Sequence, residues 1–170
     1  TDLLVVNRDS NNATLYFNRT CQIANVDPTS LVILNGFAVQ GGLPELATSD
    51  DQYLIAESEF ETMEIHLEAD APAESIRKLE FTYELAGKSN QLLRQELQLF
   101  DYAANDWVLA DARLTVNQEM TQTVAFTDNP SRFVQPGTRR LKARILSISF
   151  GADLVYKGVR VDLADWTITF

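Results

Sequence analysis

The sequence contains one cysteine, Cys21, and one histidine, His66. A lone cysteine excludes an intramolecular disulfide and a cysteine metal cluster. A lone imidazole leaves His66 as the only histidine base for a nucleophilic triad, and no serine or cysteine stands near it in sequence. There is no Gly-x-Gly-x-x-Gly and no P-loop, so a nucleotide-phosphate cradle is missing. No apolar run reaches the ~18 residues of a membrane span. Basic residues are outnumbered, 14 against 24 acidic, for a net charge of −10. A phosphate backbone or an anionic membrane face calls for the opposite sign, so no nucleic-acid partner and no membrane insertion are expected. Carboxylates are plentiful, but none of their pairings is marked as the acid and base of a glycosidase. No enzyme activity is expected.

What is present is alternation. Met63, Ile65 and Leu67 alternate with Thr62, Glu64, His66 and Glu68. Leu79, Phe81, Tyr83 and Leu85 alternate with Lys78, Glu80, Thr82 and Glu84. Leu141, Ala143 and Ile145 alternate with Arg140, Lys142 and Arg144. A two-residue period means a strand with one buried and one wet face, typical of antiparallel sheets. Strands are expected near residues 3–7, 13–18, 31–38, 52–58, 61–69, 76–86, 95–102, 107–114, 121–127, 139–149 and 154–170. The segment 88–100 reads as a loop and then a strand, with a short helix capped by Ser89 as the alternative. Apolar parity switches after Ile145 and again after Leu163, which predicts a β-bulge or bend near each.

The 170 residues suit a single domain, 1–170, of all-β class: an antiparallel two-sheet sandwich of jelly-roll type. The chain begins with Thr1 rather than Met, so a piece of a longer protein or a processed form is expected.

The segment Ala103-Ala104-Asn105-Asp106 joins two apolar runs and reads as a hairpin tip. Trp107 follows at once. With Leu109 on its face, Trp107 is most simply a core or rim group. The alternative is that Trp107 and Tyr102 flank the hairpin end as a platform for sugar rings, since an aromatic face suits their C–H surfaces.

Four stretches in order, GGLPELATSDDQYLIAE, LQLFDYAANDWVLAD, NPSRFVQPGTRRLKARI and VRVDLADWTITF, resemble a module of large secreted or surface proteins of bacteria. The resemblance runs from about Leu31 to Phe170. It implies a carbohydrate-binding-like jelly roll, used as an accessory domain. The final stretch also resembles the closing strand of galactose-binding-like jelly rolls, where an acidic residue can serve a calcium site.

Calcium takes six to eight oxygen ligands, and the aspartates Asp50 and Asp51, and Asp162 and Asp165, could supply some. Turn aspartates bonding their own backbone are the plainer reading. The basic stripe Arg140, Lys142 and Arg144 is expected to pair across strands with an acidic face such as Glu80 and Glu84. Cys21 is expected in the β core. The Asn12 and Asn18 sequons matter only in a eukaryotic secretory route. The expected role is a non-catalytic binding module with a glycan or a neighbouring protein domain as partner, secreted or at a bacterial cell surface. A spacer orienting its neighbours is the rival role, with a glycan-acting enzyme third.

Overall fold

The structure, a computed structural model, describes residues 3–6, 13–16, 21–88, 92–115, 117–150 and 157–170. Asn12, Asn18 and Ser89 lie outside them. β1 (Leu3–Val6) pairs antiparallel with β2 (Ala13–Tyr16). Then follow β3 (Ile23–Val26), β4 (Ser30–Leu34), β5 (Phe37–Gln40), β6 (Leu54–Ser58), β7 (Thr62–Asp70) and β8 (Lys78–Gly87). They are followed by β9 (Leu93–Asp101), β10 (Asp106–Thr115), β11 (Met120–Phe126), β12 (Arg140–Ser149) and β13 (Lys157–Thr169). Among the described residues the only helical pieces are two 3-10 turns, Pro44–Leu46 and Pro130–Phe133.

Two sheets face one another. One runs β10-β9-β12-β7-β4, the other β11-β8-β13-β6-β5, with β3 added beside β13. Setting aside edge strands β4 and β5, the orders β7-β12-β9-β10 and β6-β13-β8-β11 are those of a jelly roll. Among the described residues every pairing is antiparallel, as the wet/dry alternation requires. The inner residues of β7, β8, β9, β12 and β13 form one core around Trp166, which meets Phe81 edge to face at 4.8 Å.

The expected strand over 31–38 is two strands in different sheets. Asn35, at φ 56°, turns the chain between them. A Cβ on Gly36 would lie 2.7 Å from the Glu57 carbonyl oxygen and from the Met63 sulfur, so only glycine fits that corner.

The two parity switches have different outcomes. In β13 the register against β8 shifts between Val161 and Leu163, leaving Asp162 as the extra, buried residue. The inward set passes from Val159 and Val161 to Ala164, Trp166 and Ile168. In β12 no bulge exists. The register against β7 is continuous from Arg140 to Ile148, and Ser147 keeps the buried parity. Leu146 and Ile148 simply stand on the outer face, because a wet face tolerates scattered apolar residues.

Candidate functional site: the outer face of the five-stranded sheet

The hairpin tip forms because Asp101 caps it. Its Oδ1 accepts the backbone N–H groups of Ala103 and Ala104 at 2.8 and 3.0 Å, and Asn105 takes the left-handed φ of 55°. This sets the register Trp107 opposite Phe100 and Val108 opposite Leu99. Leu99 is buried and Val108 packs on the core, so Trp107 and Phe100 point outward. Trp107 is therefore not a core residue, and Leu109 beside it is 52% exposed.

The indole does not stand upright. β10 and β7 are three strand spacings apart, about 14 Å. Yet the Trp107 ring centroid lies 5.2 Å from Phe100 on β9, 4.5 Å from the Arg144 guanidinium carbon on β12 and 5.5 Å from His66 on β7. The ring leans across the sheet, with Arg144 against one π-face and Phe100 and His66 in edge contacts. Arg144 is itself held. It donates to Gln98 Oε1 through Nε and Nη2 at 2.9 and 2.7 Å, and to Glu64 Oε2 at 3.3 Å. Glu64 Oε2 also lies 2.7 Å from His66 Nε2. The aromatic platform thus rests on a hydrogen-bonded floor.

Tyr102 lies on the other side of Phe100, ring to ring at 4.9 Å, with an interplanar angle of 74°. The structure brings Trp107 and Tyr102 together through Phe100, edge to face rather than coplanar. That is the geometry the ring quadrupoles favour. Burial and the nearby Glu68 carboxylate push the Tyr102 hydroxyl up to about 12. Burial would raise Glu68, but hydrogen bonds from Arg140 and Lys142 hold its carboxyl below the usual range. Lys142 meets Glu68 at 3.2 Å, and Arg140 binds Glu68 and, at 2.9 Å, Asp70.

The basic stripe therefore does pair across strands. Its partners are Glu64, Glu68 and Asp70 of β7 rather than Glu80 and Glu84, which lie in the other sheet.

The aspartates divide. Asp50 caps its own turn, accepting from the Gln52 N–H at 3.1 Å. Asp51 and Asp162 come together: the Asp51 N–H donates to Asp162 Oδ2 at 3.2 Å. Asp162 is buried, and its Oδ1 has no hydrogen-bond partner. Tyr53 donates to Asp51 at 3.1 Å and is 3.3 Å from Glu119. Burial and these two acidic neighbours push Tyr53 up to about 12. Glu119 is raised by burial and by Glu84, Asp162 and Asp51. Asp165 stands apart, raised by burial and by Asp27. Among the described residues, no three of His, Cys, Asp and Glu are placed to share a metal ion.

Solved structures are similar to this chain. An exo-β-agarase superposes with a TM-score of 0.55 at 8% identity, over 82% of this chain and 24% of the agarase. A variant of a family 29 carbohydrate-binding module complexed with cellulohexaose has a TM-score of 0.48 at 5% identity, over 88% of this chain and 93% of its own. A structure described as CBM4 has a TM-score of 0.46 at 10% identity, over 81% of this chain and 94% of its own. The agarase likeness is one of fold, and this chain spans about a quarter of that enzyme's length. No protein-family model and no curated protein matches the sequence.

Three further residues complete the picture. Trp166 is wholly buried, while Tyr53 is half-buried under Arg160 at 5.2 Å. Cys21 is exposed, not in the core, because it precedes β3 at the sheet margin. Phe100 and Gln98 belong to the face but are not singled out by the sequence. Arg144 stands out there only as part of the basic stripe and His66 only as the lone imidazole; what places all four on this face is parity, since each occupies the wet position of its strand.

Proposed function

We propose that this domain is a non-catalytic carbohydrate-binding module of a larger secreted or cell-surface protein, and that the Trp107 face is its glycan surface. One observation carries the reading. Trp107 is braced by Arg144, Phe100 and His66 across several strands of a sheet face, away from the core. An apolar core does not need that arrangement. A sugar does: a rigid ring for its C–H face, with amide, carboxylate and cationic groups alongside for its hydroxyls. A flat platform already held in place also lowers the entropy cost of binding.

The acidic groups of the face favour binding over catalysis. Glu64, Glu68 and Glu96 are each ion-paired with Arg or Lys. Glu68, with its carboxyl held low, is ionised at neutral pH and is no general acid.

A neighbouring protein domain is the second candidate partner. The half-exposed Val32, Leu34 and Val39 along the β4–β5 edge favour it.

Calcium belongs to the same proposal at lower rank. The buried, unpartnered Asp162 Oδ1 beside Asp51 suits a hard cation, with the remaining ligands drawn from backbone carbonyls and water. Its role would be to tie the 50–51 loop to β13.

The test is a glycan-array screen of the domain beside its Trp107→Ala variant. Binding to glycans that the variant loses supports the reading, and an array with no Trp107-dependent signal contradicts it.

A further inference from the structure

We propose that the binding face continues to a second subsite at its far end, built from Arg94, Leu114 and Phe150, so that the module takes an extended neutral oligosaccharide rather than a single sugar. This rests on the carbohydrate reading above.

The register of β10 shapes the far end of the face. Trp107 faces outward opposite Phe100. Simple alternation would then carry Asp111 and Arg113 outward too. The register shift between Leu109 and Asp111 turns them inward instead. Asp111 accepts the Tyr83 hydroxyl at 2.5 Å, and Arg113 binds Asp111 at 2.7 Å while stacking on the Tyr83 ring. The same bulge brings Ala112 and Leu114 onto the outer face, beside Glu96 and Arg94.

The far end of the face is apolar and open. Leu114 is 56% exposed and Phe150 61% exposed, and neither belongs to the core. With Arg94, Ala112 and Arg113 they line a groove of ≈ 250 Å³. From Phe100 to Arg94 is six residues along β9, about 20 Å at ~3.4 Å each. One continuous outer face therefore joins the Trp107 platform to this groove. A single sugar would use only one end of it.

Charge on the face points to a neutral ligand. Arg94 meets Glu96 at 2.5 Å, Arg144 meets Glu64, and Lys142 and Arg140 meet Glu68 and Asp70. Arg113 is held by Asp111. Each of these cations is already matched by a carboxylate, so a uronate or sulfate chain would meet repulsion as often as attraction. A neutral chain meets apolar rings and ready hydrogen-bond partners.

The experiment is isothermal titration of the domain with cellobiose and cellohexaose, with the agarose-derived disaccharide and hexasaccharide, and with an alginate hexasaccharide. Wild type, Trp107→Ala, Phe150→Ala and Leu114→Ser are compared, with folding checked by circular dichroism. A neutral hexasaccharide binds about tenfold or more tighter than its disaccharide. Phe150→Ala and Leu114→Ser each weaken the hexasaccharide several-fold, up to about tenfold, and leave the disaccharide unchanged. Trp107→Ala weakens both lengths. If affinity is independent of length, or the far-end variants bind the hexasaccharide as well as wild type, the second subsite is wrong while the Trp107 effect still upholds the carbohydrate reading. Preference for alginate overturns the neutral class. Absence of binding by every probe overturns both readings.

Discussion

The guanidinium carbon of Arg144 lies 4.5 Å from the centre of the Trp107 ring, although their strands are separated by β9. That contact turns a tryptophan on a wet face into a fixed platform. Arg144→Ala removes it together with the hydrogen bonds to Gln98 and Glu64. The expected cost is about 1 kcal/mol of stability, typical of a partly desolvated cation–π contact. Equilibrium denaturation measures it, and a red-shifted, more quenchable Trp107 emission accompanies it.

The two tryptophans predict opposite outcomes. Trp166→Ala empties the centre of the core and costs roughly 3–5 kcal/mol. Trp107→Ala costs far less, because the residue sits on the outer face. Urea unfolding of both variants separates the roles, and equal losses would put Trp107 back in the core.

The acidic cluster predicts a pH effect. Glu119 is raised in the folded protein by burial and by Glu84, Asp162 and Asp51. A carboxyl whose folded pKa is raised stabilises the fold when protonated, and that contribution is lost as pH rises through the folded pKa. Glu119→Gln, measured with chelator present, therefore raises the melting temperature at pH 7. The gain shrinks as pH falls through the raised folded pKa and is gone below the unfolded-state value of about 4.3, where the carboxyl is protonated in both states.

Calcium is tested by melting with calcium and with chelator. A cation bound only by the folded form raises the midpoint. The account expects a rise with calcium that Asp162→Asn abolishes. Equal midpoints with calcium and chelator would remove the ion from the Asp51–Asp162 pair.

Much of this was readable from alternation. The sandwich, its antiparallel sheets, the 103–106 hairpin and the β13 bulge all follow from where apolar parity holds or slips. Three things were not. The turn at Asn35-Gly36 splits one expected strand between two sheets; the Asn-Gly pair is itself a turn signal, but the apolar residues on both sides read as a single run. The Ala110 bulge is hidden because Ala110 is small enough to sit on either face. Leu146 and Ile148 imitate a bulge, because a few apolar residues on an outer face cost little. For the site, parity put Trp107 and Leu109 on one face but could not say which face was wet. That depended on the other sheet covering Leu99 and Val108.

Cys21 offers a simple check on the described margin of the sheet. It is exposed, so one equivalent of thiol reagent labels the native protein without denaturant. A buried thiol would react only on unfolding.

The most direct test of the glycan surface uses the two tryptophans as built-in probes: acrylamide quenching of the native protein, with and without the neutral oligosaccharides named above. Trp166 is shielded throughout. The account predicts that ligand protects the accessible Trp107 emission, that the protection saturates, and that Trp107→Phe abolishes it. Saturable binding that leaves Trp107 equally quenchable would contradict the claim that this face is where the sugar sits.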